Sequence, residues 1–280
     1  MQPTPNPDRP HMEMPLEEPA EPVLARDSAT VIVARDGDRG LEVFMLKRTL
    51  ASDFAGGAYV FPGGRLDPAD LDPGYVDLID GWDPARAAEM GEDDETRARG
   101  ILICAIRETF EEAGILLARG PDGTPVRLGP DATRWIEVRH ALQAGDHDAL
   151  EGAREAGIRF DATMLRFWGR LVTPVQAPKR YDTRFFIAKM PDGQVPLHDA
   201  LETTASRWVR PGEAVEQALA GTLSIIFPTR KTLESIAGYG SAGELLAAAV
   251  DRPPDPILPR IVLREGEVRV VLPDGSSHLP

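Results

Sequence analysis

The stretch RETFEEAGI, Arg107 to Ile115, places three glutamates within five positions and closes with a glycine and an isoleucine. Residues three and four apart are neighbours on an α-helix, so Glu108 would face both Glu111 and Glu112. Each like-charge pair of this kind destabilises an isolated helix by about 0.2–0.5 kcal/mol. A divalent cation would turn the repulsion into attraction, because carboxylate oxygens are ligands of hard cations. A solvated acidic helix face is the alternative interpretation, and the rest of the chain decides between the two.

The composition is that of a globular protein with an acidic balance. The 280 residues are 42% hydrophobic and 27% charged, which is sufficient for one large domain or two modest ones. The net charge of −14 argues against a protein that binds long nucleic acid through its phosphates. An anionic substrate would therefore need a local positive field, supplied by clustered Arg and Lys or by a bound metal ion.

The residue inventory excludes several kinds of site. Cys104 is the only cysteine, so the chain cannot form an intramolecular disulfide, and the surrounding run ILICAI predicts a buried, inert thiol. The five histidines show no zinc-ligand spacing. No apolar run approaches the ~18 residues of a membrane span, and residues 1–22 lack the apolar core of a signal peptide. We therefore expect a cytoplasmic protein that does not bind membranes.

Composition divides the chain into three segments. Residues 1–27 are rich in Pro and Glu and poor in large apolar side chains, which predicts a disordered tail. Residues 28–235 carry the main domain, and residues 236–280 add a C-terminal helix and hairpin. Within the domain, residues 71–98 are acidic and lack periodicity, so we expect a loop that shapes substrate access and contributes little to the core. Residues 129–160 predict a helical insert.

Apolar patterning predicts a mixed set of strands and helices. A long helix is expected over 96–113, with Gly114 as its stop signal. Strands and helices alternate irregularly, which favours a mixed α/β (α+β) layered domain over a regular parallel one. The expected strands are 28–35, 41–48, 58–61, 165–174, 183–190 and 204–211; the later helices are 211–221, 228–240 and 241–250; and a terminal hairpin, 261–275, turns at Glu265–Gly266.

Together with an upstream segment, FPGGRLDPAD, the stretch resembles the signature of the Nudix hydrolases, called the Nudix box. That signature reads Gly, five residues, Glu, seven residues, then R-E-U-x-E-E-x-G-U, with U apolar. Arg107 to Ile115 fill the second half, although Thr109 stands where an aliphatic residue is usual. In the first half Gly64 is the opening glycine, and Asp70 occupies the Glu position. Between Asp70 and Arg107 lie 36 residues where the uninterrupted motif has seven, so 29 are inserted.

The resemblance implies the Nudix fold, a mixed β-sheet sandwiched between helices, in which the box forms a loop–helix–loop. It implies that Glu108, Glu111 and Glu112 hold Mg²⁺ or Mn²⁺, joined by the backbone oxygen of Gly63. Carboxylate oxygens suit these cations, which can clamp a diphosphate and activate a water. Arg107 is implied to orient a box glutamate rather than to touch substrate.

The interrupted box is similar to that of the coenzyme A and acyl-CoA diphosphatase branch, and within it to the Nudix type-19 group. The run PKRYDTRFF (178–186) extends this likeness, which covers roughly residues 29–235. The branch's upstream motif, R-[SA]-x3-R-x3-G-x3-F-P-G-G, is matched at Arg48, Gly57 and the FPGG segment. It departs at Thr49 and at Asp53, which replaces a phosphate-binding Arg by a carboxylate.

Further candidates for the site lie downstream of the box. The resemblance implies a catalytic acid near the later strands, for which Glu202 is the first choice, with His198 and Asp199 nearby; an ordinary charged loop is the alternative. Clustered cations could bind substrate phosphate or could pair with surface carboxylates. The substrate-binding candidates are Arg48, Gly64, Lys179, Arg180 and Arg184.

The function that the resemblance implies is metal-dependent cleavage of CoA or acyl-CoA to 3′,5′-ADP and the corresponding 4′-phosphopantetheine. One alternative keeps the enzyme but changes the substrate to ADP-ribose, NADH or a nucleotide sugar. Another is a non-hydrolysing sensor that binds a nucleotide, although such proteins usually lose a box glutamate and this chain keeps all three. The expected partners are a small nucleotide-type substrate and, in one alternative, a second copy of the chain as a homodimer.

Overall fold

The computed structural model describes residues 16–50, 56–128, 137–139, 149–198, 203–250 and 252–279, and the statements below concern those residues. Residues 1–15 and most of 129–148 lie outside them, so the disordered tail and the first half of the helical insert remain predictions. Within the described part of the chain, no helix combines the length and apolar character needed to cross a bilayer.

A mixed sheet forms the centre of the fold. Its strands are β1 Arg26–Gly37, β2 Gly40–Arg48, β3 Tyr59–Val60, β4 Gly63–Arg65, β8 Arg166–Val172, β9 Tyr181–Lys189, β10 Thr203–Val209 and β11 Pro256–Ile257. The order is β10–β2–β1–β9–β8–β11, with β3 paired to β2 and β4 paired to β1. The pairing of β1 is antiparallel with β2 and β4 but parallel with β9. The expected mixed sheet is therefore confirmed.

Two small sheets and a set of helices complete the architecture. One sheet has the order β5–β7–β6, with β5 Ile79–Asp80, β6 Ala118–Arg119 and β7 Arg159–Asp161; the other has the order β12–β13–β14, with β12 Arg260–Arg264, β13 Glu267–Val271 and β14 Ser277–His278. The α-helices are α1 Ala85–Glu89, α2 Glu95–Ala113, α3 Ala149–Ala156, α4 Pro211–Leu219, α5 Phe227–Ile236 and α6 Ala242–Ala248. Short 3₁₀ helices cover Pro68–Leu71, Pro73–Asp77 and Ala162–Met164.

The central sheet is buried on both faces. Successive side chains of a strand point to opposite faces, and on β1 Val31 and Val33 pack with α2 residues in one apolar layer. Their neighbours Ile32 and Ala34 belong to a second layer that includes Leu233 of α5. Helices therefore cover both faces of the sheet, as the resemblance implied.

Helix α2, which carries the second half of the box, has the bounds that its sequence predicts. Asp94 accepts hydrogen bonds from the backbone N–H groups of Thr96 and Arg97 and so caps the N-terminus. The helix ends at Ala113 because Gly114 adopts a left-handed conformation with φ of 65°, which glycine enters without steric cost. The acidic stretch consequently lies on the last two turns of a helix of 19 residues.

The insert between the two halves of the box is part of the core, so the expectation that it contributes little to the core is wrong. Tyr75, Ile79 and Met90 are each less than 5% exposed and pack with α2. Arg86 donates hydrogen bonds to the carbonyl oxygens of Ala162 and Leu165. The apolar side chains of the insert lie on a 3₁₀ turn, a two-residue strand and a five-residue helix, which are too short to give the sequence a regular apolar period.

The C-terminal segment is also integrated into the domain. Leu245 of α6 and Val270 of β13 belong to the second apolar layer, and β11 extends the central sheet beside β8. The hairpin turns at Glu265 and Gly266, which have φ of 54° and 81°, so the predicted turn is confirmed.

A buried ion cluster ties the insert to the sheet. The guanidinium of Arg184 on β9 is fully buried; its Nη1 lies 2.7 Å from Asp27 Oδ1 and its Nη2 lies 2.9 Å from Glu92 Oε2. Asp182 Oδ2 lies 3.3 Å from the same Nη1, and the two carboxylate oxygens of Asp182 accept hydrogen bonds from Nε and Nη2 of Arg170. Because Glu92 belongs to the insert, this cluster joins β1, β9 and the insert. We call these residues the Arg184 cluster.

The burial of the insert predicts a contrast between two of its apolar side chains. Met90→Ala should lower the free energy of unfolding by about 2–5 kcal/mol, since a buried Met→Ala change loses transfer energy and leaves a cavity. The matched control is Val76→Ala, because Val76 is 50% exposed and Met90 is 1% exposed in the same insert. Urea denaturation measures both. Equal, small losses in the two variants would show that the insert does not form part of the core.

The Arg184 cluster predicts a pH dependence. Burial raises the pKa of Asp182, but the hydrogen bond from Arg170 and the charges of Arg184 and Arg170 outweigh it, so the pKa is lowered overall. A depressed folded-state pKa contributes stability that is complete above the unfolded value, near pH ~4, and that is lost as the pH falls through the folded value.

Asp182→Asn should therefore lower the free energy of unfolding at pH 7 by about 1–3 kcal/mol, and the gap to the wild type should narrow as the pH falls below ~4. Denaturation series from pH 7 to pH 3 measure the gap, with the exposed Asp255→Asn as control. A gap that stays constant over this range would contradict the assigned role of Asp182.

Candidate active site

A cleft of about 420 Å³ opens beside the C-terminal half of α2. It exists because β1 changes partner along its length: residues 34–37 pair with β2, and residues 28–30 pair with β4. The box glutamates Glu108, Glu111 and Glu112 all line this cleft. The box thus brings its three carboxylates to one concave surface, as its spacing predicted.

Glu112 is held in place by the turn that opens the box. Its Oε2 accepts a hydrogen bond from the backbone N–H of Gly63 at 2.9 Å. On the other side, Arg48 Nη1 lies 3.8 Å from its Oε1. With Glu112 only 5% exposed, these contacts fix a desolvated carboxylate in the wall of the cleft.

The two glycines of the opening turn are required by close contacts. A Cβ atom at Gly64 would lie 2.3 Å from the carboxylate carbon of Glu108. A Cβ at Gly63 would lie 2.3 Å from the carbonyl oxygen of Ala29 on β1. Any larger residue would therefore displace Glu108 or separate the turn from the sheet.

Arg107 joins the two halves of the box. Its Nε and Nη2 donate to the two carboxylate oxygens of Asp70 at 2.8 and 2.9 Å, and its Nη1 donates to Glu108 Oε1 at 2.9 Å. Asp70 also accepts from the backbone N–H of Asp67, which closes a capping box on the first 3₁₀ helix. Asp70 is 1% exposed, so in this chain the first acidic position of the box pairs with Arg107 and does not face the cleft.

Burial sets the ionisation of the groups near the turn. The pKa of Glu108 is raised to about 7, chiefly because burial disfavours the charged carboxylate; the positive charge of Arg107 opposes this rise, and the negative charge of Glu111 adds to it. Burial also raises the pKa of the Cys104 thiol well above its usual value. Cys104 lies 3.7 Å from the carbonyl oxygen of Gly64 and is buried, which agrees with the expected inert thiol.

The donor set suits a hard divalent cation in its chemistry. Glu108 and Glu111 both contact the guanidinium of Arg107, and Glu112 accepts from Gly63. Among the residues that the structure describes, no three acidic, histidine or cysteine side chains are grouped so that they could hold one ion as they stand. Holding one cation with all three would therefore require the glutamate side chains to rotate from these contacts.

Of the substrate-binding residues predicted from the sequence, some line the cleft and others do not. Arg48 and Gly64 line the cleft as expected. Arg184 does not: it is 0% exposed in the Arg184 cluster, so its expected contact with substrate phosphate is corrected to a structural role. Arg180 donates to the carbonyl oxygens of Thr173 and Val23 and is not among the lining residues. Lys179 is exposed and likewise lies outside the lining.

Glu202 and Asp199 lie outside the described residues, so the role assigned to Glu202 stays a prediction. His198 is described, and its Nδ1 lies 3.4 Å from the hydroxyl oxygen of Ser206.

Sequence reasoning did not identify the polar residues that line the floor of the cleft. Ser28 and Thr183 are hydrogen-bonded through their hydroxyl oxygens at 2.7 Å, and Thr30 lies beside them. A signal was present: Ser28 and Thr30 share the face of β1 that carries Ile32, so they interrupt an otherwise apolar face. Arg65, which follows the opening turn, adds a second cation to the lining.

Comparisons with known proteins agree with this geometry. The sequence model described as the NUDT19 Nudix domain matches residues 83–231. The acyl-coenzyme A diphosphatase NUDT19 of Xenopus laevis is 25% identical over 241 residues, which are 75% of this chain and 63% of that protein. The human protein of the same name is 26% identical over 276 residues, 86% of this chain and 73% of that protein.

A solved structure gives independent support for the fold. The NUDIX hydrolase from Alicyclobacillus acidocaldarius has a TM-score of 0.66 and 28% identity, covering 80% of this chain and 96% of that one. The resemblance read from the box is confirmed by a family match that spans more than half of the chain, and this chain belongs to the NUDT19 Nudix domain family.

Proposed function

We propose that this protein is a divalent-metal-dependent diphosphatase that cleaves CoA or an acyl-CoA to 3′,5′-ADP and the corresponding 4′-phosphopantetheine. The observation that carries the proposal is the cleft that holds all three box glutamates with Arg48 beside Glu112. The names of the Xenopus and human relatives, acyl-coenzyme A diphosphatase, support the substrate. The chain spans 63% of the Xenopus protein, just under two thirds of it.

In this proposal the acidic residues of the cleft bind the metal ion and the basic residues bind the diphosphate. Glu108, Glu111 and Glu112, with the backbone oxygen of Gly63, would hold Mg²⁺ or Mn²⁺. A bound divalent cation supplies charge neutralisation on the diphosphate and lowers the pKa of water. Arg107 positions Glu108, and Arg48 and Arg65 offer guanidinium groups to diphosphate oxygens. In a chain of net charge −14 these cations provide the local positive field that an anionic substrate needs.

Two other functions are considered against the same residues. A non-hydrolysing nucleotide sensor would not need three carboxylates in one cleft, and the box keeps all of them. A pyrophosphatase for ADP-ribose, NADH or a nucleotide sugar would use the same carboxylates, so only the substrate distinguishes it. Residence in the cytoplasm and assembly as a homodimer are parts of the same proposal.

The test is a hydrolysis panel with Mg²⁺ and with Mn²⁺ over CoA, acetyl-CoA, long acyl-CoAs, ADP-ribose, NADH and dinucleoside polyphosphates. We expect the highest kcat/KM on a CoA species, with 3′,5′-ADP as a product by chromatography. Turnover of ADP-ribose without turnover of any CoA species would overturn the substrate but keep the enzyme. Binding without turnover across the panel would favour the sensor.

The role of the carboxylates predicts a loss of turnover without a loss of fold. Glu111→Gln and Glu112→Gln should each lower kcat at least about a hundredfold, roughly 2.7 kcal/mol in the barrier, because an amide lacks the charge that a hard cation requires. Glu95→Gln is the matched control, since Glu95 is an exposed residue in the first turn of the same helix.

The wild type should gain thermal stability on addition of Mg²⁺, and the double variant Glu111→Gln/Glu112→Gln should not. Either single variant retaining half of the wild-type kcat would remove that glutamate from the metal site. A control variant that lost activity equally would show that the charge of the helix, and not its place in the cleft, is responsible.

A further inference from the structure

A second concavity of about 460 Å³ lies next to the cleft. Arg48 lines both. Strand β3 contributes Val60 to the cleft and Tyr59 to the second concavity, and the backbone N–H of Tyr59 donates a hydrogen bond to the carbonyl oxygen of Ser224. The second concavity is lined by polar and basic side chains, among them Lys47, Tyr59, Thr204, Arg207 and Thr222.

Strand register places Lys47 and Arg207 together. Arg207 on β10 pairs with Met45 on β2, and Lys47 is two positions further along β2 on the same face. Diagonal neighbours of this kind are within reach of long side chains. The guanidinium of Arg207 lies 5.6 Å from the centre of the Tyr59 ring, which fixes its direction. The two cations are thus held at one wall of the concavity.

Neither cation has a carboxylate partner within the part of the chain that the structure describes. The guanidinium groups of Arg35, Arg97, Arg107 and Arg170, in contrast, are all within 3.5 Å of a carboxylate oxygen. Carboxylates outnumber cations by 45 to 31 in this chain, so two half-buried cations that face a concavity without such a partner suggest an anionic ligand. The hydroxyls of Thr204 and Thr222 in the same lining donate to the backbone carbonyl oxygens of Lys47 and Gln217, so the two cations carry the complementarity to an anion.

We propose that Lys47 and Arg207 bind a phosphate monoester that the substrate carries away from its diphosphate, as the 3′-phosphate of CoA is carried. This inference rests on the proposed function. Arg48, whose Nη1 lies 3.8 Å from Glu112 Oε1, lines both the cleft and the second concavity, so the two meet at this side chain. In this arrangement a nucleotide whose diphosphate lay at the box would reach the two cations by passing its ribose beside Arg48.

Lys47 and Arg207 take the place of Arg180 and Arg184, which the sequence suggested as phosphate-binding residues. Arg184 is enclosed by Asp27, Glu92 and Asp182, and Arg180 is engaged by backbone carbonyl groups, so neither is presented to a ligand in the cleft. A phosphate monoester carries about −1.5 to −2 charges at pH 7. The two positive charges of Lys47 and Arg207 balance the charge of such a phosphate group. Without them the net negative charge of the protein would repel the phosphate.

The first experiment compares CoA with dephospho-CoA, which lacks the 3′-phosphate. In the Lys47→Gln/Arg207→Gln variant, kcat/KM for CoA should fall at least about tenfold, the effect of losing charged hydrogen bonds, while kcat/KM for dephospho-CoA should change less than about twofold. The control is Arg260→Gln/Arg264→Gln, which removes two exposed cations from β12. Lys47→Arg/Arg207→Lys should restore the preference for CoA.

A second experiment separates this inference from the proposed function. Calorimetry measures the binding of 3′,5′-ADP and of 5′-AMP, which requires no turnover. The wild type should bind 3′,5′-ADP at least about tenfold more tightly, and the Lys47→Gln/Arg207→Gln variant should bind both equally. Equal losses for the two ligands, or equal affinities in the wild type, would overturn the inference. If the wild type cleaved no CoA but showed the binding difference, the proposed function would fail and the phosphate site would stand.

Discussion

The active centre of this protein depends on the contact between Arg107 and Asp70. An insert separates the two halves of the box along the chain, so no short covalent link holds the opening turn against the glutamate helix. The paired hydrogen bonds from Arg107 to Asp70, at 2.8 and 2.9 Å, supply that link, and the same guanidinium positions Glu108. Because both partners are largely buried, removing one would leave an uncompensated charge at a cost of roughly 3–5 kcal/mol. The interruption of the box is tolerated because this contact is strong and directional.

A second ion cluster performs the corresponding task at the other end of the insert. Asp70 lies just before the insert, and Glu92 lies near its end, where it contacts the buried Arg184. Between these points Tyr75 and Met90 enter the apolar layer under α2. The insert is therefore anchored by charge at both ends and by apolar contact in the middle. The insert is therefore a structural part of the domain, although its acidic composition resembles that of a solvent-exposed loop.

The sequence predicted those features whose determinants are local. The bounds of α2 follow from Asp94 and Gly114, and the carboxylate-lined cleft follows from the spacing of the box. The burial of Arg184 was open to prediction, since it shares a face of β9 with Phe186, which is fully buried. The neighbourhood of Lys47 and Arg207 was not open to prediction, because only the register between β2 and β10 brings these distant positions together. The burial of the insert was also hidden, since 3₁₀ turns and two-residue strands have no period to detect.

The parallel pairing of β1 with β9 has a consequence for the protein during its synthesis. Ser28 on β1 contacts Thr183 on β9 across a separation of 155 residues. A ribosome adding 5–20 residues per second needs roughly 8–31 s to synthesise that length of chain. During this interval the edge of β1 that pairs with β9 has no partner, although β2 and β4 are already available to the other edge. An unpaired edge is a template for association with other chains. Until β9 emerges, that edge of β1 is exposed to such association.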